Sequence, residues 1–423
     1  MSLTESYTTT AKLDSIRADF PSLKGSLAYF DSVASSLTPN SVIRAMVDYY
    51  ENYRANVHRG SYDMSLRASE HFEQAIRTIA GLINAGEDEI VLTQNATHAL
   101  NLAALTIPFD RGDEIVLSSL EHTSNTAPWV RAAGIHDLNV RWHKVDRNQA
   151  FDLDKFADLL TPRTKVVTLA HVSNVVGTII PVEEVGALCR DREIYFVVDA
   201  AQSVPHMAVD VKAIDCDFLA FSGHKMLGPT GVGVLYVRRD HGEALVPAIL
   251  GGGTIDTTSC GSPTLDSCAM EHFRFSGLPH KWQAGTPPIA ETLGLAAAVD
   301  YLQTVGIDWI MEHEAALLKQ MLEGLAGIPG VDMHGLPGLE GRAGIVSFNV
   351  AGLPPEEVGR ILNENYNIAV RTGQHCAVSY FFDDLHDKME RPGNVRAGVY
   401  LYNTPEEVER LVTAVGEIAA RSR

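Results

Sequence analysis

Asp199 closes the apolar run "YFVVD", where a carboxylate is costly unless a cation pairs with it. A protonated pyridine nitrogen is such a cation. Lys225 follows "DFLAFSGH" and precedes the glycine-rich "GPTGVGVLYV", whose turn lets backbone pack closely around whatever the lysine holds. A lysine at a buried strand end can have a depressed pKa and form a Schiff base. Upstream, "QNATHALNLAAL" (94–105) opens an apolar helix with Asn, Ala and Thr. Its first N–H groups and a hydroxyl make an anion site suited to a phosphate. Phosphate site, buried Asp and lysine, in that order, are the protein's share of a pyridoxal phosphate site. Cys376, in "VRTGQHCAVSYFF" (370–382), is on residue type alone a nucleophile, a metal ligand or a buried thiol.

Such residues need a scaffold that brings strand ends together. Seven short runs provide it: 89–94, 114–120, 140–145, 165–173, 195–201, 217–223 and 232–237. Most are apolar on both faces, as strands covered by helices on both sides are, and helical patterns such as 182–192 separate several of them. This βαβ rhythm predicts an α/β domain with a mostly parallel sheet and, because the last two runs lie close together, an antiparallel edge. Ligands in such sheets sit beyond the carboxyl ends of the strands. There the chain places Thr93 to His98, Glu121 and His122, Asn174, Asp199 and Gln202, and Ser222 to Lys225. After about residue 290 come long helices (290–306, 308–328), a strand (344–350) and a closing helix (404–422) opened by a Thr404–Glu407 capping box. That α+β texture marks a smaller second domain.

A formal net charge of −19 on 423 residues argues against nucleic acid or an anionic membrane as the natural partner. No apolar run reaches the length of a spanning helix, and the N-terminal stretch lacks the apolar core of a signal peptide. Five irregularly spaced cysteines (Cys189, Cys216, Cys260, Cys268, Cys376) predict free thiols in the cytoplasm. Cys189 and Cys216 read as core residues, and Cys260 and Cys268 lack metal-ligand spacing, so no metal is expected.

Longer motifs carry a resemblance. "NVHRGSYDMS", "HVSNVVGTIIPVEEV", "VVDAAQSVPH", "DFLAFSGHKMLGPTGVGVLYV" and "WQAGTPP" closely resemble the class V aminotransferase group of fold-type I pyridoxal phosphate enzymes. "RTGQHCA" and "YLYNTPEEVERLV" narrow this to the group II (SUF-type) cysteine desulfurases, the branch serving iron–sulfur cluster assembly. The similarity runs from about residue 27 to the end. It implies a fold-type I architecture: an N-terminal segment (1–26) joining the small domain, a large cofactor-binding domain (27–290) and a small α+β C-terminal domain (291–423) with the catalytic cysteine. The implied activity converts L-cysteine to L-alanine, leaves a persulfide on Cys376 and passes its sulfur to an acceptor protein. Lys225 matches the Schiff-base lysine, Asp199 the partner of the ring nitrogen, and His122 the histidine stacked on the ring that assists proton transfer. Asn174 and Gln202 match positions bonding the ring oxygen; Ala96, Thr97, Ser222 and His224 match the phosphate cradle. Thr286 matches a residue reaching the phosphate from the other subunit, which implies a homodimer. Arg396 matches the arginine gripping the substrate carboxylate, a task suited to a bidentate guanidinium. Arg371 either assists there or lends positive potential, and Arg59 sits in a loop near the family's site entrance.

His375 is adjacent to the thiol, but neighbours on an extended chain face opposite ways, so adjacency does not make it the activator. Three departures from the family pattern bear on specificity and on the acceptor. Asn95-Ala96-Thr97 replaces the usual Gly-Thr-Thr, which removes one hydroxyl. The stretch 254–281 is long, and the segment 377–395 is extended, acidic and aromatic. The alternative on the same fold is a selenocysteine lyase, or another carbon–sulfur lyase or epimerase, for which Cys376 is not essential.

Overall fold

The structure is a computed structural model and describes residues 3–145, 150–258, 270–381 and 393–422. A short strand, β1 (Ala28–Tyr29), precedes the seven expected runs, which all form strands: β2 (Ile90–Thr93), β3 (Glu114–Ser118), β4 (Asn139–His143), β5 (Thr164–Ala170), β6 (Tyr195–Asp199), β7 (Phe218–Ser222) and β8 (Gly233–Val237). They make one sheet in the order β2-β8-β7-β6-β5-β3-β4. The pairs among β4, β3, β5, β6 and β7 are parallel, whereas β8 runs antiparallel to both β7 and β2. The antiparallel strand therefore lies one in from the edge, with β2 outside it, and not at the edge as its closeness to β7 implied. Pairing of β2 with β8 joins residues well over a hundred positions apart, which a local pattern does not reveal. Strand β3 lies beside β5 while β4 lies outside it, so the crossover direction reverses between β3 and β5. A crevice opens at such a reversal beyond the strand ends.

Apolar side chains fill both faces of the sheet. One face carries Val116, Val167, Val198, Leu219 and Phe221; the other carries Ile115, Val166, Val197, Phe218 and Trp129. The helix Ile289–Val305 is apolar nearly all round, and it is buried against the helices Asn40–Asn52 and Asp63–Leu82, as such a helix must be. After a hairpin of β9 (Ile255–Thr258) and β10 (Phe273–Phe275) comes a second sheet, ordered β11-β12-β15-β14. It consists of β11 (Val331–His334), β12 (Ile345–Val350), β14 (Arg371–Gly373) and β15 (Asn394–Gly398), with β13 (Ile368–Ala369) just ahead of β14. The helices Ile307–Ala326, Pro355–Tyr366 and Pro405–Arg421 cover it, the last opened by the expected Thr404–Glu407 capping box.

Two segments tie the sheets together. Strand β1 pairs with β13, and Ala28 and Phe30 enter the apolar core of the second sheet. Arg17, at the end of the helix Leu3–Ala18, forms an ion pair with Glu407 at 2.9 Å, and Lys12 donates to the Val305 carbonyl. Of the long 254–281 stretch the hairpin is described, whereas Cys260 and Cys268 lie outside the described residues. After Cys376 a short helix, Val378–Phe381, begins the acidic–aromatic segment, and 382–392 lie outside the described residues.

Candidate functional site

A cavity of about 270 Å³ opens beyond the carboxyl ends of the parallel strands, facing the second sheet. Its lining includes Ala96, Thr97, His122, Asn174, Asp199, Gln202, Ser222, His224, Lys225, Arg371, Cys376 and Arg396. Twelve positions scattered over three hundred residues of chain thus meet in one place.

At its floor, Asp199 ends β6 and is buried, with one carboxylate oxygen accepting the Ala201 N–H at 3.0 Å. Burial pushes its pKa up, and the Lys225 charge pulls it back. Lys225 ends a single 3₁₀ turn after β7. Burial lowers its pKa, Asp199 opposes that shift, and the Arg396 charge adds to it. A lysine biased toward the neutral amine is the form that attacks a carbonyl. Gln202 and Asn174 are spent on one side only. Their amide nitrogens donate to the carbonyls of Val33 and His375, at 2.7 and 2.8 Å, while their buried amide oxygens have no partner among the described residues. Unpaired buried acceptors beside a buried carboxylate and an amine fit a polar, planar group with a cationic ring nitrogen.

The end of the cavity expected to hold a phosphate is built differently from its sequence pattern. Asn95 caps the helix Ala96–Thr106 by accepting the His98 N–H, and the Ala96 N–H is taken by Ser222 Oγ at 2.8 Å. Ala96 is therefore not a free donor; its N–H fixes the Ser222 hydroxyl instead. Thr97 Oγ1 lies 2.6 Å from Ser124 Oγ. The close approach depends on Gly233, where a Cβ would lie 2.5 Å from Asn95 Cα.

His122 lines the same cavity. Its Nδ1 accepts the Ser124 N–H at 3.0 Å, which leaves Nε2 to carry the proton of the neutral ring. Burial, followed by the charges of Lys225 and Arg396, brings its pKa down to about 3. His224 is likewise pushed down to about 4 by burial and the Lys225 charge.

The second sheet presents two arginines as a cross-strand pair, Arg371 on β14 directly opposite Arg396 on β15. Arg371 bonds Asp31 through two nitrogens at 2.9 to 3.2 Å. Arg396 is buried, donates to the Asn174 carbonyl at 2.8 Å and lies 3.8 Å from Asp31. Burial lowers its pKa to about 10, still far above neutrality. One carboxylate thus faces two guanidiniums, which leaves positive charge for an anionic substrate group.

Cys376 is exposed, whereas Cys189 and Cys216 are buried and their thiols are pushed up by burial. The chain there is not extended: His375 and Cys376 have φ of +51° and +54°. The adjacency argument about His375 therefore rested on the wrong backbone. Its ring is engaged elsewhere, with Nε2 2.6 Å from Asn394 Oδ1 and a pKa brought to about 3 by burial and the Arg396 charge. Asp31, Thr123, Ser124 and Glu121 are site residues that sequence reasoning missed or did not interpret. Glu121 is fully buried and its pKa is pushed well up by burial; one of its oxygens accepts from Asn125 and from the Ala170 N–H.

Thr286 does not join this cavity. It lines a second one, of about 340 Å³, with Arg59, His58, His280, Gly252 and Gly253 among its walls. Among the described residues, no group of three or more His, Cys, Asp or Glu side chains could hold a metal ion.

A family model described as aminotransferase class-V matches residues 28–411. A probable cysteine desulfurase of Halobacterium salinarum is 40% identical over 416 residues, 96% of each chain. Among solved structures, the apo cysteine desulfurase of Thermococcus onnurineus NA1 is 39% identical with a TM-score of 0.89, covering 96% of this chain and 98% of that one. The cysteine desulfurase CsdA (S-sulfonic acid) of Escherichia coli is 31% identical with a TM-score of 0.85, covering 97% and 98%.

Proposed function

The chain belongs to the class V aminotransferase family, with cysteine desulfurases as its full-length relatives, and from that premise we propose that it is an L-cysteine desulfurase using pyridoxal 5′-phosphate. The observation that carries this reading is the exposed Cys376 in one cavity lining with Arg396, Lys225 and Asp199. Bound there, the cofactor supplies an aldehyde for amine condensation and a ring that withdraws electrons from the substrate Cα. Asp199 would pair with the ring nitrogen and keep it protonated, His122 would lie against the ring and assist proton transfer, and Gln202 and Asn174 would border the ring oxygen. Thr97, Ser222 and His224 would cradle the phosphate. Lys225 would hold the cofactor through its amine and would then move the proton at the substrate Cα.

Arg396 grips the substrate carboxylate, and Arg371, already paired with Asp31, keeps the site positive. The Cys376 thiolate attacks the substrate sulfur. An S–S bond forms as the Cβ–S bond breaks, the carbon keeps the electron pair and takes a proton, and alanine leaves. The persulfide then passes its outer sulfur to an acceptor protein. Residues 1–26 join 291–423 in a small domain beside the 27–290 domain, and two copies form the working dimer, with Thr286 reaching the neighbour's phosphate. No described helix is long and apolar enough to cross a membrane, and the three free thiols among the described residues favour the cytoplasm. Quantifying alanine from L-cysteine tests the reading: Cys376→Ala abolishes it with the cofactor spectrum intact, and unchanged turnover by that variant contradicts it.

A further inference from the structure

The backbone that presents Cys376 is unusual in its own right. His375 and Cys376 are consecutive non-glycine residues in the left-handed region, at φ +51° and +54°. L-residues adopt it singly and at a steric cost, and such strain persists only where surrounding contacts over-determine it. The restraints here come from distant parts of the chain. The Cys376 carbonyl accepts two hydrogen bonds, from the Thr123 N–H at 2.6 Å and the Thr123 hydroxyl at 2.7 Å. The His375 carbonyl accepts from Asn174, and the His375 ring is held by Asn394. Thr123 follows His122, and the next N–H, that of Ser124, fixes the His122 ring.

We propose that Thr123 is the positioning residue of the Cys376 thiol: its hydroxyl and N–H clamp the Cys376 carbonyl, hold the left-handed turn and set the distance from thiol to His122. Threonine is suited to this because it offers two donors to one acceptor from a single residue. The backbone donor survives any substitution except proline, so the side chain determines whether the clamp is complete. This inference rests on the desulfurase reading, in which Cys376 is the nucleophile.

Thr123→Val keeps the shape and removes the hydroxyl; Thr123→Ser keeps the hydroxyl. One lost hydrogen bond at the nucleophile's tether lowers the alanine-forming kcat about fivefold in Thr123→Val. KM for L-cysteine, the cofactor content and the spectral change on adding L-cysteine stay at wild-type values, because nothing that binds cofactor or carboxylate has moved. Thr123→Ser returns kcat to within about twofold of wild type. In the apoprotein, amide exchange over 375–377 speeds up in Thr123→Val and not in Thr123→Ser. Wild-type kcat in Thr123→Val overturns the proposal, as does a Ser variant as impaired as the Val variant, or a loss confined to KM or cofactor content. Cys376→Ala is assayed alongside: wild-type turnover there overturns the nucleophile reading itself, a failure distinct from that of Thr123.

Discussion

At the residue scale the site works by setting protonation states through burial. His122 is the clearest case. With its pKa near 3, the folded state favours the neutral ring, so its proton affinity lies below that of the unfolded chain. The unfolded chain binds more protons between the two values, so this histidine's contribution to stability is complete above its ordinary pKa and is lost as pH falls below it. Histidine ¹⁵N spectra should therefore show His122 neutral and protonated at Nε2 across roughly pH 5 to 8, where a free imidazole titrates. An imidazolium signal at pH 6 would contradict the assignment. The types and order of Asp199, Lys225 and Cys376 were legible because each is chemically conspicuous against its local run. Thr123 and Asp31 were not, because their bonds reach across 253 and 340 residues, to the turn at Cys376 and to Arg371 on β14, and no local pattern encodes such pairings.

At the element scale, strand ends deliver the chemistry and helix starts anchor it. Strand β8 comes so close to the start of the helix Ala96–Thr106 that only glycine fits at position 233. In Gly233→Ala the new methyl meets Asn95 backbone, not a flexible tip, so the helix start must move. Overpacking of this kind costs about 1–3 kcal/mol and should weaken pyridoxal 5′-phosphate binding to the apoprotein about tenfold while the fold persists. Absorbance titration with a circular-dichroism melt as control measures this, and unchanged affinity would show that the helix start does not anchor the cofactor. The seven strands were readable from their Val, Ile and Leu runs. The place of β8 inside the sheet was not, because which strand pairs with it is decided by packing far along the chain. The left-handed turn at 375–376 was equally hidden, since neither residue is a glycine that would have announced it.

At the scale of the whole molecule, Thr286 is the residue that asks for a second copy. It lines a cavity apart from Lys225, with Arg59 and His58, although its motif implies a role at the phosphate. In a two-fold dimer both statements hold if each cavity completes the neighbour's site. Lys225→Ala and Thr286→Glu, each inactive alone, should then complement after unfolding and refolding together. Half the mixed population is heterodimer, and each heterodimer has one site with both residues intact, so activity recovers to about a quarter of wild type. No recovery above the parent variants would place Thr286 outside the neighbour's site.

The central claim is that sulfur leaves the substrate by transfer to Cys376. Mass analysis of the protein after one turnover with L-cysteine, without reductant or acceptor, measures it directly. The account predicts one added sulfur atom on the Cys376 peptide for each alanine released, and neither in Cys376→Ala. Alanine formed in equal amount with Cys376 unmodified, or pyruvate and ammonia in place of alanine, would contradict it.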